Sequence, residues 1–415
     1  MRIVILGNGF AGVTALETIR NARSGSTSAE VQVAMVSREQ RGFYSPASLF
    51  AFVEGRVDEA HMILRQKEFY EQLGVETYFG QTATRIDAGV HGVELEDGRL
   101  LAYDRLLIAT GSSARLWAIP GVKAQGVFKL DWMDDAYAIM EHLKRKPQPK
   151  VVVVGAGRLG VELAAVLQEN GAQVTLLEKM GQVLPGVFDL DIAALIEQRL
   201  TTHGVRVRLD EPLQEVTGNP VRAIRTPRGE LPCDMLALAM GRRPNTDFID
   251  TANISLGEGG GVLVDEFLRA GDGTRGQVYA AGDCAEPFDF LGRRAINGVI
   301  PTAVEMGRLA ALNMLGIPMR YDGSINANVL IVFGRAYFPL GSLQGERFKH
   351  QMGDFMEIFV VQAGRLVGAQ FAGETRSAAQ ALQAIRRGAS FETMSQFDGL
   401  RKRLLIPVSV RNVNR

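Results

Sequence analysis

The chain has 415 residues, and its 46 lysines plus arginines balance 46 aspartates plus glutamates, so the formal net charge is zero. This length predicts two or three domains, and a neutral chain has no overall field that attracts nucleic acid or an anionic membrane. The two cysteines, Cys233 and Cys284, lie far apart, which excludes a disulfide framework, a Cys-x-x-Cys pair and a thiolate metal site. The histidines show no ligand spacing, so no metal is expected.

Neither a membrane span nor a secretory signal is expected. No apolar run approaches the roughly 20 residues that a membrane-spanning helix needs. A strand-like run over residues 3–6 follows Met1 at once, without a charged segment or a cleavable apolar segment before it. The sequence therefore favours a cytoplasmic α/β protein.

The first predicted element is a strand over residues 2–6, which leads into GNGFAG at 7–12 and a helix to about Asn21. A second strand is predicted over 31–36. In a Gly-x-Gly-x-x-Gly turn the first glycine permits the tight turn, the second lets the backbone approach a pyrophosphate, and the third lets the helix pack against the strand. The dinucleotide-binding residues predicted here are Gly7, Gly9, Phe10, Ala11 and Gly12.

The same pattern returns in the middle of the chain. A strand over 150–154 leads into GAGRLG at 155–160, followed by a helix over 161–170, a strand over 173–177 and Glu178. This spacing favours a second Rossmann-like nucleotide-binding domain. Its candidate binding residues are Gly155, Gly157, Arg158, Leu159, Gly160, Glu178 and Lys179.

Glu178 stands close to the offset at which an acidic residue binds the ribose of a dinucleotide. A carboxylate there accepts hydrogen bonds from two ribose hydroxyls and repels a 2′-phosphate, so a dinucleotide without a 2′-phosphate is expected to bind better than one that carries it. The neighbouring cations Arg158 and Lys179 weaken this preference.

Two further stretches, 103–111 and 234–241, are predicted as buried strands that end in tight turns. Each follows one of the two Gly-x-Gly-x-x-Gly motifs, the first fingerprint at 7–12 and the second fingerprint at 155–160. The two halves of the chain therefore repeat the same order of elements. A strand over 277–286 contains a Gly-Asp pair, and a helix is predicted over 301–315, where proline at the first turn is a normal start.

The last part of the chain changes character. Strands near 328–333, 355–361 and 366–371 and a helix over 377–387 are expected. The alternating pattern predicts a half-buried sheet. A homodimer would cover its other face, since a two-fold dimer is the commonest oligomer.

Over residues 1–317 the chain resembles the flavoproteins with two dinucleotide-binding domains. The motifs that carry this resemblance occur in the order found in that family: GNGFAG, IATG, GAGRLG, AMGRRPN and AAGDCAE. The resemblance implies that the first fingerprint binds FAD and the second binds NADH or NADPH. It implies an FAD-binding domain over 1–118 and 248–317, an NAD(P)H-binding domain over 119–247, and an α+β interface domain over 318–415. The last domain is similar to the dimerisation domain of rubredoxin reductases, NADH oxidases and nitrite reductases.

The resemblance also implies roles for single residues. Asp283 would bind a ribityl hydroxyl of FAD, the backbone of Ala83 would bind the adenine, and the helix over 301–315 would direct its N-terminus at the flavin ring. Glu162 would lie near the nicotinamide and the flavin as a candidate for proton handling. The other residues assigned to the cofactors are Ser37, Arg38, Pro46, Ala109, Thr110, Gly111, Met240, Gly241, Gly282, Thr302 and Ala303.

The sequence departs from the family at three positions. Ser37 stands where relatives carry an acidic residue that binds ribose, and Arg38 is expected to help with the pyrophosphate. Pro46-Ala47-Ser48 stands where disulfide-using relatives carry a redox cysteine, so no thiol is expected beside the flavin. The lysine that ferredoxin-reductase relatives pair with the glutamate at position 162 is also missing. Cys284 is expected to pack in the core.

The resemblance implies hydride transfer from NADH to FAD and then electron transfer to an acceptor. Our first choice of acceptor is a small acidic iron–sulfur protein of the rubredoxin or ferredoxin kind, bound through basic clusters at 386–387 and 401–403. Oxygen or a dye-like small molecule comes next, and a membrane quinone, as in type II NADH dehydrogenases, is third. The alternative from another class is a non-catalytic NADH-sensing flavoprotein dimer.

Overall fold

The computed structural model describes residues 1–22, 31–87, 89–271, 276–373 and 377–390. Within these ranges three five-stranded sheets carry the architecture. The helices are α1 Phe10–Asn21, α2 Ser48–Val53, α3 Glu59–Met62, α4 Lys67–Gln72, α5 Met133–Leu143, α6 Arg158–Glu169, α7 Leu190–Thr202, α8 Ile300–Met314 and α9 Ala378–Arg386.

The strands fall into three runs along the chain. The first run is β1 Arg2–Leu6, β2 Gln32–Ser37, β3 Phe43–Tyr44, β4 Ile63–Arg65, β5 Val75–Phe79, β6 Ala83–Asp87, β7 Gly92–Leu95, β8 Leu100–Ala102, β9 Arg105–Ile108 and β10 Ser112–Ala114. The second is β11 Val127–Phe128, β12 Lys150–Val154, β13 Gln173–Leu177, β14 Arg206–Arg208, β15 Glu215–Thr217, β16 Ala223–Thr226, β17 Gly229–Pro232, β18 Met235–Leu238 and β19 Arg242–Pro244. The third is β20 Val262–Leu263, β21 Val278–Ala280, β22 Ala285–Glu286, β23 Leu330–Val332, β24 Arg335–Gly341, β25 Glu346–Met352, β26 Phe355–Gln362 and β27 Arg365–Ala372.

The N-terminal sheet has the strand order β21-β9-β1-β2-β5, and every strand runs parallel to its neighbours. Its edge strand β21 comes from late in the chain, so the segment that carries the Gly-Asp pair returns to the first fingerprint. Helices α1 and α8 pack on this sheet through a shared apolar core. The predicted strand over 2–6 and the predicted helix over 301–315 are confirmed within one residue.

The central sheet repeats this plan with the order β11-β18-β12-β13-β14, again parallel throughout. The strands predicted over 150–154 and 173–177 are confirmed. Helix α6, however, begins at Arg158 rather than at the predicted Val161. Gly157 already serves as the N-cap with extended backbone, and arginine and leucine are good helix formers, so the helix starts inside the glycine turn.

The C-terminal sheet is antiparallel, with the order β23-β24-β27-β26-β25. The prediction of a half-buried sheet is wrong for its central strands β26 and β27, which are buried on both faces. Met356 and Ile358 join the core of the central sheet, whereas Phe359 and Phe371 join a second cluster with α9. Because the chain itself covers both faces, the reason for expecting a partner subunit there is lost, and the homodimer stays a prediction.

Polar contacts tie the C-terminal sheet to the start of α7. Arg347 and Lys349 of β25 pair with Asp189 and Asp191 at 2.8 Å and 2.9 Å. The buried side chain of Gln370 accepts a hydrogen bond from the backbone N–H of Asp189 at 2.7 Å. The second and third sheets are therefore joined by apolar and polar contacts together.

Of the predicted basic clusters, Arg386 and Arg387 are exposed at the end of α9, whereas the cluster at 401–403 lies outside the described residues. Among the helices that the structure describes, none combines the length and apolar character that crossing a membrane requires.

The core shared by the central and C-terminal sheets predicts the effect of truncating one of its side chains. Ile358 is 1% exposed in the core common to the central and C-terminal sheets, so Ile358→Ala should lower the free energy of unfolding by about 2–5 kcal/mol. The matched control is Ile331→Ala on β23, where the side chain is 58% exposed and a change within about 0.5 kcal/mol is expected. Denaturant unfolding measures both, and equal effects would contradict the assignment of this core.

Candidate functional site

A cavity of about 550 Å³ opens at the carboxyl ends of the strands of the N-terminal sheet. Parallel sheets usually bind their ligands at this edge. The sequence-predicted residues that line the cavity are Gly7, Gly9, Phe10, Ala11, Ser37, Arg38, Pro46, Ala83, Ala109, Thr110, Gly111, Leu159, Gly282, Asp283 and Ala303. Leu159 is the one member of this set that comes from the second fingerprint.

The first glycine turn combines tight packing with one open position. A Cβ atom on Gly7 would lie 2.1 Å from the carbonyl oxygen of Ala109, and one on Gly12 would lie 2.0 Å from that of Gly7. A Cβ atom on Gly9 would meet no protein atom within 4 Å, and Gly9 lines the cavity. Gly9 is also the N-cap of α1 without a side-chain cap, so backbone N–H groups remain for a phosphate. The turn therefore fits a pyrophosphate.

Helix α8 is the second helix whose N-terminus lies at this cavity. Its N-cap Val299 provides no side-chain cap, and Val299, Ile300 and Ala303 line the cavity, while Thr302 is buried beside them. The uncapped N–H groups and the helix dipole favour negative charge at this end. This arrangement suits a bound group that gains negative charge on reduction.

Asp283 belongs to a polar network that the motifs do not reveal. Its carboxylate accepts a hydrogen bond from the hydroxyl of Ser112 at 2.8 Å, and Arg242 donates to the same hydroxyl oxygen at 3.0 Å. Arg242 also pairs at 2.8 Å with Asp131, whose side chain is fully buried and pairs with Lys129 as well. All but Lys129 line the cavity. The network holds the Asp283 carboxylate in place at the cavity wall.

The end of β2 places Ser37 and Arg38 in the cavity wall, as expected, with Ser37 buried. The guanidinium of Arg38 lies 5.7 Å from the ring centroid of Trp132. Next to it, Glu39 accepts a hydrogen bond from the hydroxyl of Tyr44 at 2.8 Å, and burial raises the pKa of this carboxyl. Glu39, Tyr44 and Trp132 also line the cavity, and no spacing in the sequence indicates them.

No thiol belongs to this cavity wall. Pro46 and Ala47 line it, in the stretch where the family resemblance would place a redox cysteine, and both cysteines of the chain are buried elsewhere. The thiol of Cys284 donates to the carbonyl oxygen of Ile108 at 3.3 Å, and burial raises its pKa. Burial likewise raises the pKa of Cys233 to about 12. Both side chains therefore stay protonated near neutral pH.

The second glycine turn repeats the geometry of the first. A Cβ atom on Gly155 would lie 2.4 Å from the carbonyl oxygen of Ala239, and one on Gly160 would lie 1.8 Å from that of Gly155. A Cβ atom on Gly157 would again meet nothing within 4 Å. Gly157 caps α6 without a side-chain hydrogen bond, which leaves N–H groups for a second phosphate group.

Glu178 follows β13 and is buried against the second glycine turn. One carboxylate oxygen accepts the backbone N–H of Ala156 at 2.7 Å, and the other accepts that of Met180 at 3.0 Å. The carboxylate thus lies against the glycine turn at the end of β13. Lys179 beside it is exposed, and Gly241 lies beyond the end of β18 at the same edge of the sheet.

Arg158 and Glu162 are partly buried on the first turns of α6. The guanidinium of Arg158 donates to the carbonyl oxygen of Val329 at 3.0 Å, so it contacts the segment before β23. Burial raises the pKa of Glu162 to about 7, while the charge of Arg158 opposes this shift. Glu162 is not among the residues that line the cavity, whereas Leu159 is.

The sequence profile of the pyridine nucleotide-disulphide oxidoreductase family matches residues 1–307, and the chain belongs to this family. An NADH oxidase of Methanocaldococcus jannaschii is 28% identical over 337 residues, which are 79% of this chain and 73% of the relative. The ferredoxin reductase subunit of a 5,5'-dehydrodivanillate O-demethylase from a Sphingobium species is 29% identical over 326 residues, covering 77% and 76%.

Among solved structures, an NAD-dependent persulfide reductase from A. fulgidus superposes with a TM-score of 0.86 at 26% identity. The match covers 94% of this chain and 77% of the other. Cavity, glycine turns and family agree: the chain is an FAD-dependent NAD(P)H oxidoreductase. An FAD bound in the cavity would supply the redox chemistry, and the free backbone N–H groups and the positioned carboxylates described above fit such a cofactor. Within the described ranges no cluster of three His, Cys, Asp or Glu residues forms a metal site.

The open position in the first turn yields a prediction. Gly9→Ala should fold normally, because the added methyl group meets no protein atom, yet it should weaken FAD binding at least tenfold, about 1.4 kcal/mol, because it occupies space beside the turn. Gly12→Ala should instead destabilise the fold. Flavin retained after desalting and the midpoint of thermal unfolding separate the two effects. FAD retention by Gly9→Ala equal to that of the wild type would contradict the placement of the pyrophosphate.

The pKa of Glu162 predicts a pH dependence of stability. The folded-state pKa of about 7 lies above the ordinary value of 4.5, so the contribution of this group is fully present below pH 4.5 and is lost as the pH rises through 7. The free energy of unfolding of the wild type should therefore fall by up to about 3 kcal/mol between pH 4.5 and 7, and Glu162→Gln should not show this decrease. Free energies of unfolding for both proteins across the interval test it, and parallel pH profiles would show that the carboxyl titrates normally.

Proposed function

We propose that the chain oxidises NADH and delivers the electrons from its FAD to a small acidic iron–sulfur protein, without a cysteine in the reaction. In this proposal residues 1–118 and 248–317 bind FAD, 119–247 bind the nicotinamide nucleotide, and 318–415 form an interface domain. The observation that carries it is the cavity wall at Pro46 and Ala47, which offers no thiol.

The absence of a thiol from this cavity wall limits which electron acceptors the flavin can reduce. Reduction of a disulfide through thiolate attack needs a cysteine beside the flavin, and both thiols here are buried with raised pKa values. An acceptor that takes electrons one at a time needs no covalent partner, only a brief contact near the flavin. Such contacts are small, below about 1,200 Å² in total.

One relative supports an iron–sulfur protein as the electron acceptor, and another supports a persulfide. The Sphingobium relative is a ferredoxin reductase subunit, whereas the A. fulgidus structure is a persulfide reductase. The thiol-free wall favours the first. On this chain Arg386 and Arg387 are exposed cations that suit an acidic partner, which local charge would steer.

Glu178 supports NADH as the electron donor. Its carboxylate is fixed at the glycine turn by two backbone N–H groups, where it meets the ribose of a dinucleotide. Arg158, one of the two cations that weakened this expectation, directs its guanidinium at Val329 instead. Lys179 remains as the nearby exposed cation.

A panel of acceptors tests the proposal. With NADH in excess, the holoenzyme should reduce an acidic ferredoxin or rubredoxin at a rate that falls at least tenfold between low and high salt, because charge steers the encounter. Reduction of a dye should stay nearly constant. Coenzyme A disulfide and polysulfide should react at background rates.

Each other outcome assigns another function. Rapid disulfide or polysulfide reduction would contradict the thiol-free route, and fast reduction of a short-chain quinone at every ionic strength would assign a quinone reductase. Slow turnover with every acceptor, together with a long-lived reduced complex, would assign an NADH sensor.

The nucleotide preference has its own test. Glu178→Gln keeps the shape of the side chain but removes the charge that repels a 2′-phosphate, so the ratio of kcat/KM for NADH to that for NADPH should fall about tenfold, or about 1.4 kcal/mol. The matched control Lys179→Gln should raise this ratio. Stopped-flow reduction of the flavin by each nucleotide measures both. A wild-type enzyme that prefers NADPH would contradict the role of Glu178.

A further inference from the structure

Trp117 is a tryptophan on the surface in an unusual setting. It lies in the segment that leaves β10, and its side chain is 40% exposed although tryptophans are normally well buried. The ring is held in place, because its Nε1 donates a hydrogen bond to the carbonyl oxygen of Met240 at 3.1 Å. Neither fingerprint includes this residue, and the motifs give no role to it.

The neighbours of the ring place it at the edge of the central sheet. Met240 follows β18, and Lys179, whose ammonium lies 5.7 Å from the ring centroid, follows β13. In the sheet β18 and β13 are the two neighbours of β12, the strand that leads into the second glycine turn. A ring that contacts the ends of both neighbours lies across the carboxyl end of β12, where a dinucleotide binds in such a sheet.

The ring is also supported from its own segment. The guanidinium of Arg115 lies 4.2 Å from the ring centroid, and the backbone N–H of Arg115 donates to the carbonyl oxygen of Gly241 at 2.9 Å. Two hydrogen bonds and two cation–π contacts, from Arg115 and Lys179, therefore fix an aromatic surface before any ligand arrives. A preorganised surface costs little conformational entropy on binding.

We propose that Trp117 stacks against the adenine of the nicotinamide nucleotide and so positions NADH on the second glycine turn. A purine has the flat π surface that pairs with an aromatic side chain. Glu178 at the end of β13 receives the ribose, and Trp117 beside Lys179 receives the base attached to it. Trp117 is thus a positioning residue, and this role rests on the proposed function of the central sheet as the NADH site.

The test compares donors with and without an adenine on the FAD-loaded holoenzyme. Trp117→Leu, which keeps apolar bulk but no aromatic face, should raise the KM for NADH and the Kd for ADP-ribose about tenfold with kcat little changed. Trp117→Phe should stay within about threefold of the wild type, because it retains the stacking surface. Reduced nicotinamide mononucleotide, which has no adenine, should reduce the flavin of the wild type and of both variants at equal rates.

The matched control is Leu116→Ala, the preceding exposed residue, which should leave all three measurements unchanged. Flavin content and the thermal midpoint verify that each variant is folded. Equal ADP-ribose affinity in the wild type and Trp117→Leu, or an equal loss with the mononucleotide, would overturn the role of Trp117 alone. A wild-type holoenzyme that neither donor reduces would instead overturn the proposed function.

Discussion

The structure depends on one close contact that occurs twice, between a glycine in the first turn of a helix and the carbonyl of the glycine that ends the preceding strand. Gly12 lies so close to Gly7, and Gly160 to Gly155, that a Cβ atom would stand 2.0 Å and 1.8 Å from the respective oxygens. Only glycine allows this approach. It brings the uncapped N-termini of α1 and α6 to the carboxyl ends of their sheets, and the shape of each glycine turn follows from it.

The parallel sheets could be predicted because their strands are continuous apolar runs bounded by glycine turns, as β1, β12 and β13 show. In the C-terminal sheet β24 and β25 escaped prediction. Pro339 interrupts β24, and β25 is a mostly exposed edge strand with a polar sequence, so neither shows the apolar alternation of a strand. The burial of β26 and β27 on both faces was missed because it depends on α9 and on the central core, which are remote in sequence.

The candidate site also combines residues that the sequence predicts with residues that only the tertiary structure brings together. Residues in the glycine turns could be named from their spacing, and the Gly-Asp pair and the start of α8 from the family resemblance; most of them line the cavity. Ser112, Asp131 and Arg242 could not. The antiparallel pairing of β10 with β19 brings Ser112 and Arg242 together, and Asp131 joins them by accepting the backbone N–H of Ala114 in β10. Trp117 follows the same ribbon, so pairing between distant segments adds polar and aromatic groups to a site whose outline the motifs already define.

The contact of Arg158 with the carbonyl of Val329 bears on how such a chain can diversify. A residue of the second glycine turn is anchored by the segment that enters the C-terminal sheet, and Tyr337 and Met356 share a core with α6. Interfaces between domains of one chain are usually small and more polar than obligate interfaces. Here the boundary is a common apolar core, so recombination that replaced the C-terminal sheet would also disturb the second glycine turn.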